Sequence, residues 1–303
     1  MLKWVVAGVA AFLVSSSAQA EEDCRLQIAA SLPMTLNASN RITVPATVEG
    51  QPVRLMVDTG APMTLLQRSK AEALGLKYEM AKRWERGRFF GGTKVSRKVT
   101  VNEFILGNLK ASGVEVWLAP DEHQLEGADG LLGASVLLNY DVDFDFAGAK
   151  LNLFLPHRCP GKVVYWTQNE DAITKIPMTM DHAHVRLDLA IDGVPIKATL
   201  DTGASGLTLD METFMPKFGL TPQSPGVVAV PARDGVHTIY RYTAKNLSFG
   251  GVNVTNPIIT FVPQDLSKDR DYDMLLGMDV LRHLHMFFAY KEKMLYVTSA
   301  TQH

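Results

Sequence analysis

Short apolar runs broken by glycine-centred turns recur along most of the chain, and few stretches carry the three-to-four spacing of a helix. Residues 42–48 and 52–57 are rich in β-branched side chains and flank Glu49-Gly50-Gln51, which predicts strand, tight turn, strand. Residues 63–66 resume an apolar strand, and 67–74 hold helix formers that stop at Gly75. Residues 82–101 are basic and aromatic around Gly91-Gly92, which predicts a projecting hairpin. Strands follow at 103–106 and 114–118, a brief helix near 136–139, and strands at 141–146 and 150–155. A linker, 158–172, contains Cys159, Pro160 and Gly161 and carries one further strand at 163–166. Beyond it come strands at 185–191 and 196–200, a weak helix at 212–218 interrupted by Pro216, and a late helix at 279–284. Many short strands with few helices predict an all-β domain pair.

The pattern repeats. Val57-Asp58-Thr59-Gly60-Ala61 returns as Leu200-Asp201-Thr202-Gly203-Ala204, 143 residues later. Gly50-Gln51-Pro52-Val53 and Gly193-Val194-Pro195-Ile196 keep the same offset, while Pro33-Met34-Thr35-Leu36 and Pro177-Met178-Thr179-Met180 differ by one residue more. Gly91-Gly92 answers to Asp234-Gly235, and Asp129-Gly130-Leu131-Leu132-Gly133 to Asp273-Met274-Leu275-Leu276-Gly277. Landmarks that hold register to within one residue over this length mean two copies of one module, 31–157 and 173–303.

Composition then narrows the setting. Lys3, an uncharged apolar run to Val14, and Ala18-Gln19-Ala20 read as a signal peptide, 1–20, with a short leader at 21–30. The apolar run is short of the ~20 residues of a membrane span, so a retained anchor is the lesser alternative. The expectation is export across the inner membrane to the periplasm, with no stable membrane insertion and no long basic pro-segment. The formal net charge is −2, and −3 once Lys3 is removed, which argues against a nucleic-acid partner. The mature chain has two cysteines, Cys24 and Cys159, one ahead of each module. In an oxidising compartment they form one disulfide; two free buried thiols are the other reading. Closing that loop stabilises by ~4 to 5 kcal/mol in the chain-entropy picture.

A single Asp-Thr-Gly is an ordinary turn. Two, at equivalent points of a duplicated module, can meet at a pseudo-twofold axis. Asp58 and Asp201 sharing a site cannot both ionise cheaply, so the pair holds one proton. Such a pair can split an amide: the ionised member takes a proton from water while the protonated one donates to the carbonyl oxygen. Gly60 and Gly203 let backbone approach the carboxylates, and Thr59 and Thr202 turn inward to bond across the interface.

These two motifs, each followed some way on by Leu131-Leu132-Gly133 or Leu275-Leu276-Gly277, resemble the aspartic proteases of the retropepsin and pepsin clan. The resemblance covers both modules. It implies a bilobal acid-protease fold with two pseudo-twofold β-barrel-like lobes, a water held between Asp58 and Asp201, and a cleft for an extended peptide under a hairpin flap. It implies an aspartic endopeptidase with no cofactor, a peptide or protein substrate, and a monomer with an intrachain dyad. Two departures stand out. Pro62 follows Ala61 where the family has Ser or Thr, and Ala61 and Ala204 follow the glycines where pepsins carry a hydroxyl. Without that hydroxyl to lower the aspartate, the expected optimum is about pH 5 to 7.

Substrate residues are expected at the hairpins: Phe89, Phe90, Gly91, Gly92, Asp234, Gly235 and Tyr240, with Trp84 and Tyr242 beside them. Packing against the sheet is the plainer role for such aromatics. Asp141-Val142-Asp143-Phe144-Asp145 resembles the start of a calcium loop but lacks its glycine and closing glutamate, so an alternating strand is the reading. His182-Ala183-His184 and His283-Leu284-His285 lack a third ligand at metal spacing, and no metal is expected. A peptide-binding or assembly module with little turnover is the competing function, with some support from Pro62. A dimer in which each module pairs with its twin is a third possibility.

Overall fold

The computed structural model describes residues 24–82, 87–88, 94–122, 125, 127–232, 234–267 and 273–300. The signal-like segment, Trp84, and the hairpin tip with Phe89, Phe90, Gly91 and Gly92 lie outside the described residues. Two ten-stranded sheets and a six-stranded sheet account for most of the chain. One ten-stranded sheet draws its strands from Thr35–Leu36 through Gly130–Leu132, the other from Thr179–Asp181 through Met274–Leu276.

Each module starts from the same hairpin. Ile42–Val48 pairs antiparallel with Gln51–Val57, and His184–Ile191 with Val194–Leu200. The connecting residues Glu49-Gly50 and Asp192-Gly193 all have positive φ, the two-residue turn whose twist matches its strands. An acidic side chain steadies each turn: Glu49 accepts from the Asn102 N–H at 2.6 Å, and Asp192 from the N–H groups of Lys245 and Asn246 at 2.9 and 2.8 Å. The second strand of each hairpin ends at its aspartate.

The six-stranded sheet joins the halves. Its order is Ile28–Pro33, Lys150–Phe154, Asp141–Asp145, Leu284–Ala289, Met294–Ser299, Thr174–Pro177. Three strands come from each half, and the central pair sets Asp143 opposite Phe287, with Val142 against Phe288 and Phe144 against Met286. The alternation expected of residues 141–145 is present: Val142 and Phe144 enter the large core cluster that spans both modules, with Phe144 edge-on to Phe288 at 5.5 Å. Burying each such side chain stabilises by about 1.5 to 3 kcal/mol. The strand Ile28–Pro33 begins within the segment expected to be a leader.

Asp141 and Asp143, on the opposite face, are nevertheless buried because the linker lies over them. Arg158 Nε donates to Asp141 at 2.8 Å, and its fork also meets Glu292. Tyr165 Oη donates to Asp143 at 2.7 Å, where Asn152 Nδ2 and His285 Nε2 also sit, at 2.8 and 2.7 Å. Trp166 stacks on His285 with ring centroids 3.9 Å apart and donates from Nε1 to Thr298 at 2.8 Å. Cys24 and Cys159 form a disulfide, which settles the two readings of that pair.

Some expectations need correction. Residues 163–166 form no strand: Val163 packs into a small cluster on the sheet while Tyr165 and Trp166 use their polar atoms on it, so this backbone is bound through side chains. The late helix is Met278–Leu281, not 279–284, because Leu284 already opens a strand of the joining sheet. The helix near 136–139 starts earlier, as Ala134–Leu137. The weak helix is two pieces, Met211–Phe214 and a 3-10 turn Pro216–Phe218, broken at the proline as expected. Among the described residues no helix is long and apolar enough to cross a membrane.

Candidate active site

Both Asp-Thr-Gly loops are pinned from behind by the apolar-apolar-glycine strands. Gly130–Leu132 lies parallel to Gln51–Val57, and Met274–Leu276 parallel to Val194–Leu200. Their last carbonyls, Leu132 and Leu276, accept from the Asp58 and Asp201 N–H groups, each at 3.0 Å. Beyond them the chain crosses the loop so closely that a Cβ on Gly133 would lie 2.4 Å from the Met63 oxygen, and one on Gly277 the same distance from that of Gly206. The glycine is a requirement of space.

The loops then lock on each other. Thr59 N–H donates to Thr202 Oγ1 at 3.1 Å and Thr202 N–H to Thr59 Oγ1 at 3.0 Å. The hydroxyls donate onward to the Leu200 and Val57 carbonyls, each at 2.8 Å. Thr59 is 4% exposed and Thr202 0%, so all four bonds are made away from water. A Cβ on Gly60 would stand 2.4 Å from Asp201 Cγ, and one on Gly203 2.4 Å from Asp58 Cγ.

The two carboxyl groups therefore face each other, each set against the glycine of the opposite loop. Asp58 Oδ1 accepts from Gly60 N–H at 2.9 Å, while Asp201 Oδ1 accepts from Gly203 N–H at 2.8 Å and Ala204 N–H at 3.1 Å. Each aspartate keeps part of its surface open. Burial raises Asp58 well above the ordinary carboxylate range, and the charge and hydrogen bond of Asp201 raise it further, against the N–H groups of Gly60 and Ala61. Burial also raises Asp201, but the Gly203 N–H, the bond from Asp58, the Ala204 N–H and the His184 imidazole all pull it back. The pair titrates as a unit: both carboxyls are raised, and burial is the first cause for each.

Pro62 leaves the loop unchanged in one respect that counts. Its carbonyl accepts from Ser135 N–H at 3.1 Å, as Ser205 accepts from Asp279 N–H at 2.9 Å, and the Ala61 and Ala204 carbonyls accept from Ala134 and Met278 at 2.8 and 2.9 Å. A carbonyl is all these bonds need.

The structure thus brings together Asp58, Thr59, Gly60, Asp201, Thr202 and Gly203. Asp234 and Gly235 form the turn of a separate hairpin, Val228–Pro231 with Thr238–Thr243. Asp234 accepts there from the Val236 and His237 N–H groups, each at 2.9 Å, and meets His237 Nδ1 at 2.6 Å, which lowers its carboxyl to about 2. Tyr240 and Tyr242 lie on that hairpin, half-buried against the core. His182 occupies a positive-φ turn position while His184 opens a strand, so the two imidazoles do not share a strand face.

Two features escaped the sequence. His184 Nε2 lies 3.0 Å from the Gly60 carbonyl oxygen, across the interface. On the other side Asn40 Nδ2 donates to Asp279 at 3.1 Å and Asn40 Oδ1 accepts from Arg282 at 2.7 Å. Their only signal was the one-residue step in the repeat, between Pro33 and Gly50.

Comparison with known families agrees with the duplication. Residues 44–136 match the aspartyl protease model, and residues 187–283 match the gag-polyprotein aspartyl protease model. No curated protein matches the chain.

Proposed function

We propose, for a chain made of two retropepsin-like aspartyl-protease modules, that it is an aspartic endopeptidase whose dyad is Asp58 and Asp201. The observation that carries this reading is the pair of facing carboxyl groups, one from each module, held by the four threonine bonds.

Asp201, the ionised member, takes a proton from a water molecule as its oxygen attacks the scissile carbonyl carbon. Asp58 gives its proton to the carbonyl oxygen, so the adduct is a neutral gem-diol. Collapse re-forms the carbonyl as the C–N bond breaks. Asp201 delivers its proton to the departing nitrogen, Asp58 recovers one from the hydroxyl, and the dyad returns to its starting state. The loop atoms barely need to move, because their donors already face the carboxylates.

Extended peptide fits this chemistry, since exposed hairpin edges can pair with main chain. Export supports the disulfide: the apolar run before Ala20 and a Cys24–Cys159 bond belong together in an oxidising compartment. The test is digestion of a proteome-derived peptide library across a pH series, with Asp201→Asn as control. Cleavage by the wild type alone supports the reading; equal patterns from both proteins, or none from either, defeat it.

A further inference from the structure

His184 sits where the two modules differ. In the second module Met180 pairs with Val185 and Asp181 with His184, leaving the two-residue turn His182-Ala183. In the first, Leu36 pairs with Ile42, and Asn37 N–H donates to the Arg41 carbonyl at 3.0 Å around a longer loop, Ala38-Ser39-Asn40. The strand position that answers to His184 is therefore Arg41. One is a long guanidinium, the other a short imidazole with a single ring N–H to place.

A carbonyl oxygen only accepts, so the 3.0 Å contact from His184 to Gly60 fixes a proton on Nε2. The Gly60 carbonyl belongs to the same peptide unit as the Ala61 N–H, which faces Asp58. Donation at one end of a peptide polarises the other. The same imidazole acts on Asp201 through space. His184 thus touches neither aspartate and influences both. The ionisable groups around it are Asp58 across the interface, Asp201 at the end of the strand paired with its own, and Asp181, His182 and Arg186 on its own hairpin. Asp181 is engaged by Arg186 at 2.5 Å and approached by His182 at 3.8 Å.

We propose that His184 is a positioning residue of the dyad: its bond to the Gly60 peptide holds the Asp58 loop, and the imidazole so placed favours Asp201 as the ionised partner. The inference rests on the endopeptidase reading for its kinetic consequence, though not for its electrostatic one.

The acid limb of kcat/KM reports protonation of the ionised member. The imidazole lowers Asp201, so its removal makes Asp201 easier to protonate. His184→Gln keeps an N–H donor without a titrating charge, and His184→Leu removes both. Expected is an acid limb displaced to higher pH in both variants, with kcat falling about fivefold in His184→Leu, the worth of one modest hydrogen bond, and less in His184→Gln. A merely structural histidine would lower the profile without moving its limb, and a limb at the wild-type position in both variants overturns the proposal.

A second readout needs no turnover. The ¹³Cγ resonance of Asp201, followed by NMR in the full mature chain, should titrate at higher pH in His184→Gln than in wild type, with thermal melting confirming that both are folded. An unmoved titration in a protein that cleaves peptide sinks the role of His184 and leaves the peptidase standing. A moved titration in a protein that cleaves nothing does the reverse.

Discussion

Around Asp58 and around Asp201 three kinds of inward-facing bond are matched: glycine N–H to carboxylate, threonine to threonine, threonine to the carbonyl ahead of the opposite aspartate. One layer out, the match ends. Pro62 stands against Ser205, Arg41 against His184, and the Asn40 contact to Asp279 and Arg282 has no twin, because Ala183 and Ser135 occupy the corresponding places. The inner layer leaves no freedom, since a Cβ or a lost hydroxyl there meets the other module. The outer layer is free to differ, and it is where the two aspartates come to have unlike surroundings.

The strongest test of the inner match is to neutralise each aspartate. Asp58→Asn and Asp201→Asn should each lose at least about 10³-fold in kcat/KM, with no ranking between them, because members of one unit fail together. Both should also be at least as stable as wild type at neutral pH. A carboxyl whose folded value is raised binds its proton more tightly folded than unfolded. Its contribution to stability is present below the ordinary aspartate value, about 3.9, and is lost as pH rises through the pair's higher titration. Melting curves at acid and neutral pH should show the variant gaining on wild type as pH rises; a gap that shrinks would contradict the raised dyad.

Smaller is the effect of the threonines. Thr59→Val and Thr202→Val each remove a buried acceptor and donor and leave the other threonine's N–H unbonded, so each should cost roughly 2 to 4 kcal/mol in denaturant unfolding. The two costs should agree to within about 0.5 kcal/mol, because each variant removes the counterpart of the bonds the other removes. Unequal costs would mean that the grip is not symmetric.

Smallest is the outer layer. Asn40→Ala gives up two partly exposed bonds and should cost about 1 kcal/mol or less. It should leave the acid limb of the pH profile where it is, unlike His184→Gln. A displaced limb would show that both sides of the interface tune the dyad.

Much of this was legible in the chain itself because it is imposed by backbone. Gly60, Gly133, Gly203 and Gly277 mark places where another strand or carboxylate comes too close for a side chain, and that constraint recurs in both copies at nearly one spacing. The hairpins at Glu49-Gly50 and Asp192-Gly193 could be read from turn chemistry. What could not be read was decided by distant partners. Val163 to Trp166 has the composition of a strand, but Asp143, His285 and Thr298 claim its side chains from another part of the sequence. Leu284 continues a helical pattern until its sheet neighbours are known. The step in the repeat was visible, yet nothing local said that the added residue would let Asn40 reach Arg282.

Asp143 opposite Phe287 at the centre of the joining sheet bears on what the halves could do if the gene were cut in two. Two first halves meeting head to tail would press one interior carboxylate against its own copy. Two second halves would leave each buried His285 with no Asp143 to receive it. A mixture of the fragments should therefore sort into unlike pairs, since each like pair leaves a buried polar group uncompensated.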